Sequence, residues 1–302
     1  MSEKYIIPVF VPHLGCPNNC TFCNQKNISG QMKNITEEEV KTTIETFLKS
    51  FKDDNIEREI AFFGGSFTGI EPKEQEKLLK IAYEYIQQKK VSGIRVSTRP
   101  DYIDKEKLKL LKKYGVKTIE LGVQSTNDYI LRKCKRGHTF DDVKKASKLI
   151  RRYGFTLGHQ IMVGLPESTH LDELRTAKDL AKLKPKIIRV GLQNTDLISN
   201  PENIESEVVA GPYHEAFGQL VEDSIWYDKM LAKIKKFNTK VIEAEILVNS
   251  VNVNNVIGHK KENIKKLKDT YDLELKVKQT EEIKPGSFKL NILKTYKDFL
   301  DD

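Results

Sequence analysis

The sequence predicts an α/β protein: a partial or complete (β/α) barrel of six strands, followed by a small α+β module. Two observations carry this reading. Apolar, β-branched segments alternate with amphipathic helical ones through the first two-thirds of the chain. After one long helical stretch the pattern changes, and a β-α-loop-α-β-β order takes over. The expected division is a barrel over residues 1–212, a connector helix over 213–237 and the module over 238–302.

The strand candidates are YIIPVFV (5–11), EIAFFGG (59–65), GIRVSTR (93–99), VKTIELGVQ (116–124), FTLGHQIMVGL (155–165) and KIIRVGL (186–192). Helical stretches lie between them. TEEEVKTTIETFLKSF (36–51) opens on Thr36 with Glu39 three residues on, a capping-box spacing. PKEQEKLLKIAYEYIQQ (72–88) has Pro at a first-turn position. DKEKLKLLKKYG (104–115) and TFDDVKKASKLIRRYG (139–154) stop on Gly, and STHLDELRTAKDLAKL (168–183) completes the set. Strands joined by helices pair in parallel with right-handed crossovers, and chemistry in such folds sits at the C-terminal strand ends. YHEAFGQLVEDSIWYDKMLAKIKKF (213–237) reads as one helix packing on the barrel and leading outward. Beyond it, KVIEAEILVN (240–249), DLELKVKQ (272–279) and GSFKLNIL (286–293) read as strands. SVNVNNVI (250–257) and ENIKKLKDTY (262–271) read as helices around a Gly258–Lys261 break.

Bulk properties exclude several classes. With 38% apolar and 31% charged residues, disorder is not the default. No apolar run spans a bilayer and MSEKYIIPVF lacks the plan of a signal peptide, so a cytoplasmic protein without membrane contact is expected. The formal charge is +8, and residues 229–268 hold ten lysines against three glutamates. That density points to an anionic partner, nucleic acid first, or else to a solvated lysine-rich surface.

Three of the four cysteines crowd into GCPNNCTFC, as Cys16-x3-Cys20-x2-Cys23, just after the first strand. They lie too close together for a disulfide framework and read as a metal site. A zinc site wants four ligands, with His13 or Cys134 available as the fourth. A four-iron cluster on three thiolates leaves one iron open.

That spacing, with Phe22 before the last cysteine, resembles the radical S-adenosylmethionine superfamily. The resemblance implies a partial (β/α)6 barrel, a [4Fe-4S] cluster on Cys16, Cys20 and Cys23, and S-adenosylmethionine on the open iron. It also implies reductive cleavage to a 5′-deoxyadenosyl radical, with flavodoxin or ferredoxin as electron donor. Later motifs align in order at strand ends. FFGGSFTGI resembles the glycine-rich methionine-binding stretch, with Gly64, Gly65 and then Ser66 where Glu is commoner. STRPD contributes Ser97 and Thr98 near the ribose and methionine. GVQS offers Gln124 at a ribose position, RGH offers Arg136 for the cofactor carboxylate, and Gln160 stands where relatives often carry Asp. Within the superfamily the chain looks like the elongator catalytic-subunit group over about residues 4–227, AGPYHEAFGQLVEDSIW being the most group-specific stretch. Larger elongator proteins add an acetyltransferase domain. The chain ends at Asp302, so their carboxymethylation chemistry is not expected here.

VIGHKKENIKKLKDTYDLELKV (256–277) resembles a KH domain, which grips a nucleic-acid backbone on an Ile-Gly-x-x-Gly loop. Gly258 matches the first glycine and Lys261 replaces the second. Lys260, Lys261, Lys265 and Lys266 are the candidate RNA contacts. The resemblances together imply a radical enzyme that modifies tRNA or rRNA. The alternatives are a radical enzyme for a small molecule or protein, and an RNA-binding protein with a structural or redox-sensing cluster. Cys134 is a candidate thiol or a buried core residue. His138 and His159 lie near motif ends, and His159 either faces the cavity or is structural.

Overall fold

The computed structural model describes residues 4–11, 16, 20–22, 35–51, 56–192 and 217–296. The chain divides into two compact units, Met1–Tyr213 and His214–Asp302. In the first unit the strands are β1 (Lys4–Val11), β2 (Glu57–Gly64), β3 (Gly93–Thr98), β4 (Val116–Gln124), β5 (Thr156–Val163) and β6 (Ile187–Leu192). They form one sheet in the order β1-β2-β3-β4-β5-β6, every neighbour parallel. Helices α1 (Glu37–Ser50), α2 (Pro72–Gln87), α3 (Lys105–Lys113), α4 (Asp128–Lys133), α5 (Phe140–Arg152) and α6 (His170–Lys182) fill the crossovers. The sheet is a curled half-barrel: Arg189 of β6 lies with its guanidinium carbon 5.8 Å from the Phe63 ring of β2.

Local chemistry accounts for the helices. Thr36 and Glu39 form the expected capping box, the Thr36 N–H donating to Glu39 Oε2 at 2.7 Å. Thr139 with Asp142 and Thr169 with Asp172 repeat the device with a shorter acid. The six-residue α4, absent from the sequence reading, is too short to show a helical period. Alternate strand residues turn outward and bury fully against the helices, among them Ile7, Val9, Ile60, Ile94, Val96, Ile119 and Leu121 against Val40, Leu79, Leu108 and Ile150.

The other face of the sheet carries charge. Lys4 donates to Glu59 at 2.8 Å, Arg95 to Glu59 at 3.0 Å and to Glu120 at 2.5 Å, and Arg189 to Glu120 at 3.1 Å. Burial pushes the Glu59 carboxyl up, but the bonds from Lys4 and Arg95 outweigh it and hold the group below the usual carboxylate range. Strand β5 contributes Gly158 here, where a Cβ would stand 2.8 Å from Glu120 Cγ.

The second unit holds α7 (Phe217–Ile234), β7 (Val241–Val248), α8 (Val253–Ile257), α9 (Glu262–Tyr271), β8 (Glu274–Gln279) and β9 (Phe288–Thr295). Its sheet order is β8-β7-β9, with β7 parallel to β8 and antiparallel to β9. Helix α7, read from the sequence as a connector, contributes Trp226, Met230 and Ile234 to this unit's core beside Val241, Ala244, Ile246, Val256 and Leu267.

A buried polar cluster fastens the turn between α8 and α9. Asp223 of α7 accepts from the His259 backbone N–H at 2.7 Å, Gln219 Nε2 at 2.6 Å and Asn255 Nδ2 at 3.4 Å. Asn263 donates to the Asp223 and Asn255 carbonyls at 2.8 and 3.0 Å. The turn itself is left-handed at Gly258 (φ 78°), Lys260 (φ 50°) and Lys261 (φ 62°). Lys261 thus adopts the backbone geometry a glycine takes at lower cost. Asp223→Ala should remove the carboxylate that the His259 N–H and Gln219 donate to, while Asn255 keeps Glu222, and destabilise this unit by about 2 kcal/mol. Chemical unfolding together with amide exchange at His259 checks this, and unchanged exchange protection at His259 would contradict it.

Candidate active site

The C-terminal strand ends gather most of the sequence-predicted residues. Gly64 ends β2 at φ 107°, and a Cβ there would stand 2.4 Å from the Val11 carbonyl oxygen at the end of β1. Gly65 then donates its N–H to that same carbonyl at 3.1 Å. The close approach carries the β2 loop to the start of the cysteine segment. Ser66 follows, its backbone N–H directed at Cys16.

Cys16 is half-buried and Cys20 buried, while Cys23 and His13 lie outside the described residues. Burial pushes the Cys16 thiol up; the Ser66 N–H and the guanidinium groups of Arg136 and Arg99 pull the other way. The Thr21 N–H donates to the Cys134 carbonyl at 3.2 Å, and Phe22 packs against Ile130, Cys134 and Leu165. The cysteine segment is thereby docked on the residues that follow β4. Arg136 lies across it: Nη1 donates to Cys20 Sγ at 3.8 Å, Nη2 to the Gly122 carbonyl at 2.8 Å, and its carbon stands 5.9 Å from the Phe22 ring centroid. A Cβ on Gly122 would meet Arg136 Nη2 at 2.7 Å, so a larger residue there would displace this guanidinium.

Hydroxyls at the ends of β2 and β3 divide into two kinds. Ser66 Oγ and Thr98 Oγ1 bond each other at 2.9 Å, Thr98 Oγ1 bonds Thr68 Oγ1 at 2.5 Å, and Ser66 Oγ accepts from the Arg99 N–H at 3.2 Å. Those side chains brace the two strand ends. Ser97 Oγ is different: it is buried and has no partner. Gln124 Oε1 is likewise buried and unpartnered, on a residue held at φ 69° where β4 slips register against β5. A left-handed, non-glycine residue with an orphaned acceptor marks a position shaped for something other than its own backbone. Gln160 points to the concave face beside Gly122, as its register requires.

Arg99 is a participant the sequence reading passed over. It is 2% exposed, with Nε and Nη2 donating to Asp101 at 2.9 and 2.8 Å and Nη1 buried without a partner. The signal was present in STRPD, where a cation directly follows a strand.

Three other candidates are buried, each with a local setting of its own. Cys134 is fully buried, and burial pushes its thiol up. His159 shares the helix-facing row of β5 with Leu157 and Ile161 and bonds Ser147 Oγ at 2.9 Å. His138 Nε2 lies 3.2 Å from the Val123 carbonyl. Burial pushes both rings down to about 4, so both are neutral at pH 7.

Comparisons with known proteins follow the same line. The family model described as the radical SAM superfamily matches residues 10–180. A tRNA uridine(34) acetyltransferase of Methanocaldococcus infernus is 28% identical over 128 residues, 37% of this chain and 24% of that protein. A heme chaperone of Bacillus subtilis is 28% identical over 187 residues, 60% of this chain and 48% of that one. This chain therefore spans less than half the length of either relative. The solved structure of Methanocaldococcus infernus Elp3 shares the fold at a TM-score of 0.50 and 20% identity, over 69% of this chain and 53% of that one.

The two neutral histidines give folding a pH signature. Their folded pKa values lie below the ordinary 6.5, so the unfolded chain binds more protons in between. The stability tied to them is complete above about pH 6.5 and erodes as the pH falls towards about 4. Glu173, raised by burial from 4.5 to about 7, works in the opposite direction from about pH 7 down to about 4.5, so the two histidines together outweigh it. Urea unfolding at pH 7.5, 6 and 5 should show a falling midpoint. His159→Gln should flatten the slope and Glu173→Gln should steepen it; equal slopes in all three proteins would refute the assignment.

Proposed function

The chain belongs to the radical SAM superfamily, whose members are enzymes using a [4Fe-4S] cluster and S-adenosylmethionine, and we propose that it uses them to modify a nucleotide of tRNA or rRNA. The observation that carries the catalytic half is the set of buried groups without partners at the ends of β3 and β4, Ser97 Oγ, Arg99 Nη1 and Gln124 Oε1. They stand where the Cys16 and Cys20 segment docks. Orphaned buried polar atoms each cost on the order of 1–3 kcal/mol, and a polar cofactor relieves that cost. A merely structural cluster would need none of them.

The residues present fit the two groups. Cys16, Cys20 and Cys23 would hold the cluster and leave one iron free, beside Arg136 and Arg99, whose charges oppose the burial that raises the Cys16 thiol. Gly64 and Gly65 hold the end of β2 close to β1, and would present the loop there to the amino-acid end of the cofactor, while Phe22 offers an aromatic face. Gln124 and Ser97 would take ribose hydroxyls, Arg136 the carboxylate, and Gln160 would sit at the ribose edge. Ser66 and Thr98 serve by bracing the strands rather than by side-chain contact. Bound there, the groups supply a one-electron cleavage of the sulfonium and a 5′-deoxyadenosyl radical for hydrogen abstraction. Phe10, Phe63 and Arg189 on the concave face offer a substrate rings to stack on and one cation.

The RNA half is supported by the match to the tRNA uridine(34) acetyltransferase and by the lysine-rich segment 229–268, with ten lysines against three glutamates. Read as KH-like, that unit offers Gly258, Lys260, Lys261, Lys265 and Lys266 as backbone contacts on a turn held rigid by Asp223. The similarity to a heme chaperone favours a second reading, in which the substrate is a small molecule or a protein.

Anaerobic reconstitution with iron and sulfide, then reduction with S-adenosylmethionine, should release 5′-deoxyadenosine. Cys16→Ala should abolish both cluster and release; a reconstituted wild-type protein that releases none would sink the catalytic reading. Binding to bulk tRNA should fall with salt. The Lys260→Ala/Lys261→Ala pair should lower the slope of log K against log salt by about one to two. An unchanged slope removes the turn from the RNA reading and favours the second one.

A further inference from the structure

We propose that Arg99 is the fixed counter-charge that sets the reduction potential of the cluster, and that Asp101 is the positioning residue that meters it. The proposal rests on the reading of Cys16, Cys20 and Cys23 as cluster ligands.

The guanidinium is split between two environments. Its outer edge, Nε and Nη2, is clamped by Asp101, whose side chain is 28% exposed and partly screened by water. Its inner atom, Nη1, is buried with no hydrogen-bond partner among the described residues, while the guanidinium carbon lies 5.7 Å from the Tyr102 ring centroid. Asp101 therefore offsets the charge on the solvent side and leaves it strong on the dry side, where the local dielectric is low. Arg99 interacts electrostatically with both Cys20 and Cys16. The two segments are also connected through Ser66, which accepts from the Arg99 N–H at 3.2 Å and directs its own N–H at Cys16. Burial works against the Arg99 charge, but the Asp101 bond and charge more than compensate and hold the group above its already high pKa. The cation is present at every working pH.

Arg136 does not duplicate this. Nη2 is spent on the Gly122 carbonyl, Nη1 on Cys20 and one face on Phe22. Arg99 has an acid beside it, Asp101, at 2.8 Å. Reduction of a four-iron cluster adds one electron, and net charge and hydrogen bonding around it set how easily that happens. A buried cation favours the electron; the acid beside it subtracts from that effect. Removing either partner should therefore move the potential, and in opposite directions.

The test is a redox titration of the reconstituted full chain without S-adenosylmethionine, followed by the electron paramagnetic resonance signal of the one-electron-reduced cluster, with dithionite or a photoreduced deazaflavin as reductant. Arg99→Gln should shift the midpoint to lower potential and Asp101→Asn to higher potential. Arg99→Lys should stay closer to wild type than Arg99→Gln. Loss of packing alone would not produce shifts of opposite sign. Cluster-replete variants with wild-type midpoints, or with shifts of the same sign, overturn the proposal. If Arg99→Gln binds no iron, Asp101→Asn and Arg99→Lys still decide: a midpoint that is not raised in Asp101→Asn overturns it. A wild-type protein that takes up no four-iron cluster overturns the cysteine reading itself, and iron content shows that before any potential is measured.

Discussion

A line of alternating charges ties the concave face of the half-barrel together. Lys4, Glu59, Arg95, Glu120 and Arg189 stand on five of the six strands and neutralise one another in sequence. Apolar packing on the outer face needs only parallel strands covered by helices. The inner face needs more, because a curled sheet brings its charged side chains close and away from water. Glu59, Arg95 and Glu120 are the buried members, and breaking a pair among them costs roughly 3–5 kcal/mol, whereas Lys4 and Arg189 at the ends are partly exposed and contribute less. The ladder therefore disfavours any register in which its members fail to meet. Gly158 belongs to the same constraint, since a side chain on β5 would collide with Glu120.

With the strands held in register, their C-terminal ends become a fixed platform. The cysteine segment is not positioned by its own local structure alone. It is docked through Thr21 and Phe22 onto the stretch from Ile130 to Arg136, and through Ser66 onto the end of β2. Neighbouring hydroxyls join β2 to β3 and so aim Arg99. Few of these contacts are strong singly. Their value lies in fixing two cations near two thiols, an arrangement unfavourable to leave empty and favourable to fill with a negatively charged cluster.

Much of this was legible in the sequence, because the strands are apolar on alternate residues and the helices announce their starts with Thr and acid. The first-unit strands fall within a residue or two of their expected bounds at most ends. The exceptions have physical reasons. Helix α4 is shorter than two helical turns, below what periodicity can register. Ser66 and Thr98 sit in a motif associated with cofactor contact, yet a hydroxyl's direction depends on a partner from another strand, and here each found the other. Arg99 was passed over because a charged residue after a strand reads as solvated until burial is known. His159 could have been read more closely: it alternates with Gln160, so only one of the two can face the cavity.

Gln124 has a consequence of another kind. Its left-handed backbone suits glycine or asparagine better than glutamine, and its buried acceptor is unmatched. Folding alone gives no reason for this side chain. Asparagine, more at ease at that φ, would be the more comfortable choice for the isolated chain. A selection for thermal stability alone and a selection for activity should therefore part company at this position. On the proposed reading, the residue that folding prefers at position 124 and the residue that a bound cofactor prefers are not the same.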